Sequence, residues 1–512
     1  MPRLHSDRHL ARPPSPATRP PGPTAPSRVF PGLRELIDPR GPFLVPLALL
    51  LVSRAILLLG TPAPAEDAFI TFRYARNLAT GQGLVYNAGE HVMGFTSPLW
   101  TVWSALGIVV TGSPIAWALA WSFVADIVTL LAGGVLVSAT AGAASAWAFT
   151  FFFAAWPYFS ALMVSGMETS LFVTLLVLAA ALVHAKSRAA GPTLAALALT
   201  RPEGLVAALV LSLAASWRDR LVALAITAAG LVLLALQFGS PIPNSLRVKA
   251  SVYGTPGPWI GRHWWEWISP VVMGRWPSNG DTIVMMFLAV VTAPAAIVGA
   301  RELWRRRDTA MARLAAAALV IWLGYAGLGV AYFWWYYALP LVATALLVAV
   351  GLPRVTRGRA IPIALALYTL SIWSVSLSLY RGRSHQEIQN FGAMAGTLRD
   401  RCRPGDSVFL EPIGMIGFTC PVTVIDEAGL VSPDVARCRM QGPGWYTDIV
   451  NTRTPRWLVV RRGVLDSENA FAGAGRPFRD TAERDALLAR YAQVDRTGEP
   501  GAATELLLLE RR

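Results

Sequence analysis

Charge is what this 512-residue sequence has least of: only 15% of it is Asp, Glu, Lys or Arg, against about 25% in an ordinary soluble domain. The deficit comes from long apolar runs, and 54% of the residues are hydrophobic. Runs of about 20 apolar residues are what a bilayer requires of a spanning helix. Histidine is scarce at six residues and cysteine at three, which leaves little room for a zinc site built by the chain itself. The net charge of +14 does not indicate nucleic acid. Its arginines cluster in short stretches between apolar runs, the pattern of cytoplasmic loops in a membrane protein. Cys402, Cys420 and Cys438 all fall in the last quarter of the chain. In an oxidising compartment they allow one disulfide by any of three pairings; otherwise they are apolar thiols.

Residues 1–41 are basic, Pro-rich and without an apolar core, and read as a disordered cytoplasmic tail rather than a signal peptide. Residues 42–380 read as a polytopic α-helical membrane domain. Candidate spans fall at 43–60, 98–112, 115–137, 168–184, 220–238, 283–300, 313–331, 336–352 and 360–379. Residues 190–216 are apolar but interrupted by Arg201, Pro202, Glu203 and Gly204, which predicts two short helices meeting at the outer surface. Trp156-Pro157 interrupts residues 140–163, read as a re-entrant or paired half-helix segment. The basic loops at 184–188, 217–220, 301–313 and 354–359 share one side if the amino terminus is inside. That gives about eleven crossings and an outer carboxy terminus. The aromatic stretches 333–337 and 263–267 then lie at the outer interface. From about residue 381 the texture is soluble. Strand-like SVFLE, VTVID, RWLVV and TELLLLE, with helical stretches at 385–401 and 481–492, predict a small extracytoplasmic α/β domain over 381–512.

On this topology the outer face collects the polar residues. Glu66 and Asp67 follow the first span, and Arg73 and Arg76 share one face of the helix after them. A carboxylate pair beside paired arginines can deprotonate a hydroxyl while binding a phosphate. The same acids could simply complement a helix dipole, and so could Glu168. Arg201 and Glu203 are harder to dismiss, being ionisable groups within an apolar stretch. Asn244, Arg247 and Lys249 follow the 220–238 span, and Arg247 and Lys249 there could grip a lipid phosphate or merely snorkel. Asp126 lies inside a span without a partner nearby in sequence; it faces a polar interior or makes a helix-packing hydrogen bond.

The segments EDAFITFRYARNLATGQGLVYNAGEHVMGFTSPLW, SGMET, LTRPEG and PNSLRVKA, in that order, resemble the GT-C membrane glycosyltransferases. Within these the chain is similar to the family of the mycobacterial terminal β-(1→2)-arabinofuranosyltransferase. The resemblance covers about residues 45–380 and extends outward through Gly414-Met-Ile-Gly417 and Val424 to Leu430. It departs where the family has Asp-Asp-Ala and this chain has Glu66-Asp67-Ala68, at His91 and Met93, and in the register of Lys249 after Pro243-Asn244-Ser245.

The resemblance implies inverting transfer of a sugar, arabinofuranose first, from a polyprenyl-phosphate donor to a cell-wall polysaccharide or other glycan acceptor outside the plasma membrane. Asp67 and Glu66 would be the catalytic pair, with Asp67 the general base. Arg73, Arg76, Glu168, Arg201, Glu203, Asn244, Arg247 and Lys249 would bind substrate, with Arg201, Lys249 and Arg247 on the donor phosphate. Some relatives use a divalent cation, and Glu66, Asp67 and Glu168 could offer Mg or Mn hard oxygen ligands. A mannosyltransferase using polyprenyl-phosphate mannose is the nearest alternative. A lipid-linked glycan flippase is the alternative of another class, although no internal repeat supports it.

Overall fold

The computed structural model describes residues 28–60, 64–251, 279–307, 309–328, 333–356, 383–466 and 476–512. The tail expected at 1–41 is thus described only from residue 28, while the aromatic stretch 263–267 and the span expected at 360–379 lie outside the described residues. The amino-terminal body is helical: α1 (Leu44–Gly60), α2 (Ala68–Ala79), α3 (Pro98–Thr111), α4 (Pro114–Ala141), α5 (Ala143–Ala155), α6 (Pro157–Val164) and α7 (Thr169–His184). It continues with α8 (Ala190–Thr200), α9 (Pro202–Ser212), α10 (Trp217–Phe238), α11 (Asn244–Ser251), α12 (Asn279–Arg305), α13 (Ala310–Leu328) and α14 (Ala338–Val355). Among the described residues α4, α10 and the run Trp335–Val355 are long and apolar enough to cross a membrane. The bent pair α5–α6 adds a fourth if it is one span. Several others, including α1, α3 and α7, are apolar but shorter.

Two breaks in these helices follow from proline. Pro157 has no N–H to offer Phe153, so α5 stops and α6 departs at 52°. The carbonyls stranded there are taken up from α1. Ser53 Oγ donates to Ala154 O at 2.7 Å, and Arg54 donates to Ala154 O at 2.8 Å and Phe153 O at 3.3 Å. Arg54 in turn pairs with Asp126 of α4 at 2.8 Å, with side chains 0% and 4% exposed. Asp126 therefore has a full ionic partner, which its own neighbourhood in sequence does not reveal. Truncating one partner strands a buried charge, a loss of about 3–5 kcal/mol. Arg54→Leu and Asp126→Leu should each lower the unfolding midpoint in detergent, and the double variant should recover part of it. Single variants as stable as the wild type would show that the pair contributes nothing.

The second break is at Arg201, which is extended (φ −151°, ψ 153°) between α8 and α9. Each of these helices has 11 residues and so spans only about 16 Å. They fold back as a hairpin, packed so closely that a Cβ on Gly204 would lie 2.0 Å from the Leu197 carbonyl oxygen. Arg201 is the tip.

Residues 383–512 form the α/β part. Helix α15 (Arg383–Arg401) leads into a five-stranded sheet of order β2-β1-β3-β5-β4. The strands are β1 (Ser407–Leu410), β2 (Thr423–Asp426), β3 (Trp457–Arg461), β4 (Tyr491–Thr497) and β5 (Leu506–Arg511). The first three are parallel, and β5 and β4 join antiparallel. The four apolar segments expected as strands correspond to β1, β2, β3 and β5. β4 was not among the expected strands, and the helix expected to reach residue 492 stops at Leu488, short of β4 at Tyr491.

The sheet does not stand apart from the helices. Its edge strand β2 is closed by Asn87, whose amide donates to Val424 O at 2.8 Å and accepts from Val424 N at 3.0 Å. That satisfies an edge that would otherwise be open to pairing. A short helix, α16 (Gly414–Thr419), lies directly on α2. A Cβ on Gly414 would fall 2.1 Å from Glu66 O, and one on Gly417 2.1 Å from the Tyr86 hydroxyl. Only glycine permits this approach.

Candidate active site

Helix geometry assembles a pocket where the first helices, the Arg201 hairpin, α11 and the sheet domain meet. Asp67, Glu168, Arg201, Ser245, Lys249 and Tyr336 line it, and Leu430 of the sheet domain closes one side. Asp67 stands at the start of α2, yet its side chain makes no capping hydrogen bond. The same is true of Glu168 at the start of α7. Neither side chain is tied to its helix terminus by a capping hydrogen bond, though both acids stand where a helix dipole favours negative charge.

Glu66 and Asp67 are neighbouring, half-buried carboxyls. Glu66 Oε1 accepts from Met415 N of α16 at 3.0 Å, and the two carboxyls hydrogen-bond each other. Burial pushes Glu66 well above the usual carboxylate range, reinforced by the charges of Asp67 and Glu411. Burial raises Asp67 too, but the Lys249 ammonium pulls it back down. Two close carboxyls in a poorly solvated site hold one proton between them. The Lys249 cation acts on Asp67 and favours its charged form.

Arg201 is a positioned charge. Its Nη1 meets Glu168 Oε1 at 2.7 Å and its Nε meets Glu203 Oε1 at 2.7 Å. Tyr325 donates its hydroxyl to Glu203 from behind. The guanidinium also faces the rings of Phe172 and Tyr336, at 5.7 and 5.4 Å from their centroids. Two carboxylates thus neutralise Arg201 more than once over. Lys249 differs. Among the described residues no carboxylate lies within ion-pairing distance of it, and its ammonium rests 4.4 Å from the Phe333 ring centroid.

Several residues expected to bind substrate stand elsewhere. Arg73 donates to Tyr86 O, Gly417 O and Val422 O at 2.6–2.8 Å and to Asn87 Oδ1 at 3.1 Å. Arg76 donates to Phe418 O. Both arginines bind the sheet domain, because an otherwise unpaired run of carbonyls there needs donors. Asn244 does the same from the other side, donating to Gly429 O and Leu430 O at 2.9 and 2.8 Å. Arg247 is exposed and reaches Ser240 Oγ at 3.2 Å; two residues from both Ser245 and Lys249, it falls on the opposite face of α11.

Ser245 was missed. It is 2% exposed, lines the pocket, and among the described residues its hydroxyl has no hydrogen-bond partner. Its position four residues before Lys249, on the same helical face, is the signal that could have found it. An unpartnered buried hydroxyl beside an ammonium is a ready donor to an anion. As for a divalent cation, Glu168 is committed to Arg201, and Glu66 to Met415 N and Asp67. No three acidic, His or Cys side chains converge among the described residues. The three acids do not fit a metal site in this arrangement.

Residues 378–504 match a family model described only as a domain of unknown function, DUF8728. No curated protein matches the chain. Solved structures do. ArnT from Cupriavidus metallidurans bound to undecaprenyl phosphate aligns at TM-score 0.53 and 13% identity, covering 91% of this chain and 97% of that one. The chain has a GT-C-like fold. The Archaeoglobus fulgidus oligosaccharyltransferase in complex with Zn and sulfate aligns at 0.54 and 11% identity over 89% of this chain and 72% of its own. AglB from the same archaeon, with an inhibitory peptide and a dolichol-phosphate, aligns at 0.53 and 11% over 90% and 74%. At these identities the likeness is one of fold.

Proposed function

We propose that the chain is a membrane glycosyltransferase that moves one sugar from a polyprenyl-phosphate donor to a glycan hydroxyl with inversion. The observation that carries this reading is the pocket itself. It brings an uncapped carboxylate, Asp67, into one pocket with Ser245 and Lys249, which can cradle an anion, at the junction of a GT-C-like helical body and its sheet domain. The acceptor oxygen attacks the anomeric carbon on the face away from phosphate, and its proton passes to Asp67. The bond from the anomeric carbon to the phosphate oxygen breaks. Lys249 and Ser245 then take up the charge that gathers on the departing polyprenyl phosphate. Arg201, held by Glu168 and Glu203, offers the sugar a fixed guanidinium hydrogen-bond donor rather than a free charge. That two of the solved neighbours are complexes with undecaprenyl phosphate and dolichol-phosphate supports the donor class.

Within that class arabinofuranose is the donor sugar favoured by the sequence resemblance, and a cell-wall glycan the acceptor. The placement that goes with it has the amino terminus in the cytoplasm, about eleven crossings of the plasma membrane, and residues 381–512 outside. Membranes carrying the protein should be assayed in parallel with labelled polyprenyl-phosphate arabinose and polyprenyl-phosphate mannose. Transfer from the first alone is the expected result. Transfer from mannose alone would replace the sugar and keep the mechanism. Translocation of either lipid without transfer would overturn the enzyme reading in favour of a carrier.

Ser245 gives a graded check on the phosphate cradle. A hydrogen bond to a charged group contributes about 1.5–3 kcal/mol, so Ser245→Ala should lower kcat/KM roughly 10- to 100-fold. Ser245→Thr should retain most of it. Equal activity of Ser245→Ala and wild type would remove this hydroxyl from the donor site.

A further inference from the structure

The sheet divides the apolar side chains of residues 383–512 into two cores, and the cysteines are not distributed evenly between them. Val408, Leu410, Val424, Val459 and Leu508 face the core shared with the helical body. Phe409, Ile425, Leu458, Val460 and Leu507 face the other. Cys402 and Cys420 belong to the first core, while Cys438 packs against the second and has its sulfur 3.8 Å from Trp445 O. The sheet lies between Cys438 and the other two.

Cys402 and Cys420 each close a helix and meet over the same one. Cys402 follows α15 directly, its N–H donating to Leu398 O at 2.8 Å, and Cys420 ends α16, donating to Ile416 O at 2.9 Å. Cys420 Sγ lies 3.4 Å from Ala395 O and Cys402 Sγ 3.7 Å from Arg399 O. Those two carbonyls are one turn apart on α15, so both thiols lie over the same stretch of that helix, near enough for each to affect the other's ionisation. We propose that Cys402 and Cys420 form a disulfide in the native protein, fastening the end of α16 to α15 beside the catalytic pair. This selects one of three pairings and rests on residues 381–512 facing an oxidising compartment, as the proposed function places them.

The consequence concerns the site. α16 is the helix whose Met415 N–H binds Glu66 and whose Gly417 and Phe418 carbonyls bind Arg73 and Arg76. Non-covalent contacts hold its inner side; the disulfide would hold its far end. Accessibility orders the chemistry. Cys420 is 1% exposed and burial pushes its thiol up to about 12, whereas Cys402 is half-buried. The Cys402 thiolate attacks the disulfide of an extracytoplasmic thiol–disulfide oxidoreductase, forming a mixed disulfide and releasing one thiolate. Cys420, giving up its proton, then displaces the second thiolate and closes the bond. The two cysteine thiols are oxidised, the partner's disulfide is reduced to two thiols, and both protons end on that partner.

The test traps thiols with N-ethylmaleimide in intact cells expressing the full chain, then maps unreduced peptides by mass spectrometry. A second sample is purified in detergent and treated with oxidised glutathione before trapping. The expected result is a Cys402–Cys420 linked peptide in both samples with Cys438 alkylated. Dithiothreitol should then lower the unfolding midpoint of wild type and of Cys438→Ser by several degrees, and leave that of the Cys402→Ser/Cys420→Ser double variant unmoved. Separate alkylated Cys402 and Cys420 peptides in the glutathione-treated sample, or a link to Cys438, would overturn the pairing. A link found only in the treated sample would overturn the native bond by way of the outward placement, leaving the geometry intact. The peptide mapping needs no variant, so a poorly folding double variant does not remove the test.

Discussion

Asp67→Asn should reduce sugar transfer by about 10²–10⁴, the range that a positioned general base ordinarily supplies, while leaving the protein folded and inserted. The substitution is nearly isosteric, and Asp67 makes no capping bond whose loss would unravel α2. Its hydrogen bond with Glu66 survives, since an amide oxygen still accepts. What disappears is the ability to take the acceptor proton. Donor affinity should change little, so the loss should appear in kcat rather than KM. Near-full activity in Asp67→Asn, with unfolding midpoint unchanged, would remove it as the base.

The pH profile extends this test to the neighbouring acid. Asp67 must be ionised to act, and burial raises its pKa, so activity should be lost as pH falls through a value above the usual ~3.9 of an aspartate. Burial raises Glu66 as well, and we propose it as the partner that carries the shared proton and donates to Asp67. Glu66→Gln keeps a donor there and should leave the acidic limb nearly in place. Glu66→Ala withdraws a bond that favours the Asp67 anion and should move the limb upward. The opposite order of the two variants would place the proton on Asp67.

Parts of this arrangement were legible in the sequence, and the reasons are physical. An ionisable residue within an apolar stretch is costly unless held, so Arg201 and Glu203 announced themselves, and the proline between them gave the hairpin tip. Asp67 was legible as an acid next to a span; that it is uncapped was not. Arg73 and Arg76 were assigned to substrate because helix spacing puts them on one face. Spacing does not say what that face meets, and here it meets carbonyls more than 300 residues away in sequence. Arg54 and Asp126 were separated in the same manner: the need for Arg54 arises from a proline in a third helix. Asn244 stood among the expected substrate ligands through the family resemblance, yet its amide is consumed by the sheet domain. Local pattern identified the charged groups; which of them face the pocket is set by long-range docking, which one sequence does not encode in any short window.

That docking makes Lys249 the most informative second site. Arg201 is matched by two carboxylates, each at 2.7 Å, so an incoming phosphate finds little uncompensated charge there. Lys249 lies against aromatic rings instead, and on the proposed mechanism it is, with Ser245, what stabilises a departing phosphate. Removing one fixed donor at a site of developing negative charge lowers kcat about 10²–10³-fold, and Lys249→Met should fall in that range. The same substitution should also move the acidic limb upward, because the ammonium is what draws Asp67 down against burial. Lys249→Arg keeps the charge and should restore the limb more fully than the rate, since a planar guanidinium does not reproduce a point charge. Both effects together are required. A rate loss with an unmoved limb would separate Lys249 from Asp67, and a moved limb at full rate would take Lys249 off the phosphate.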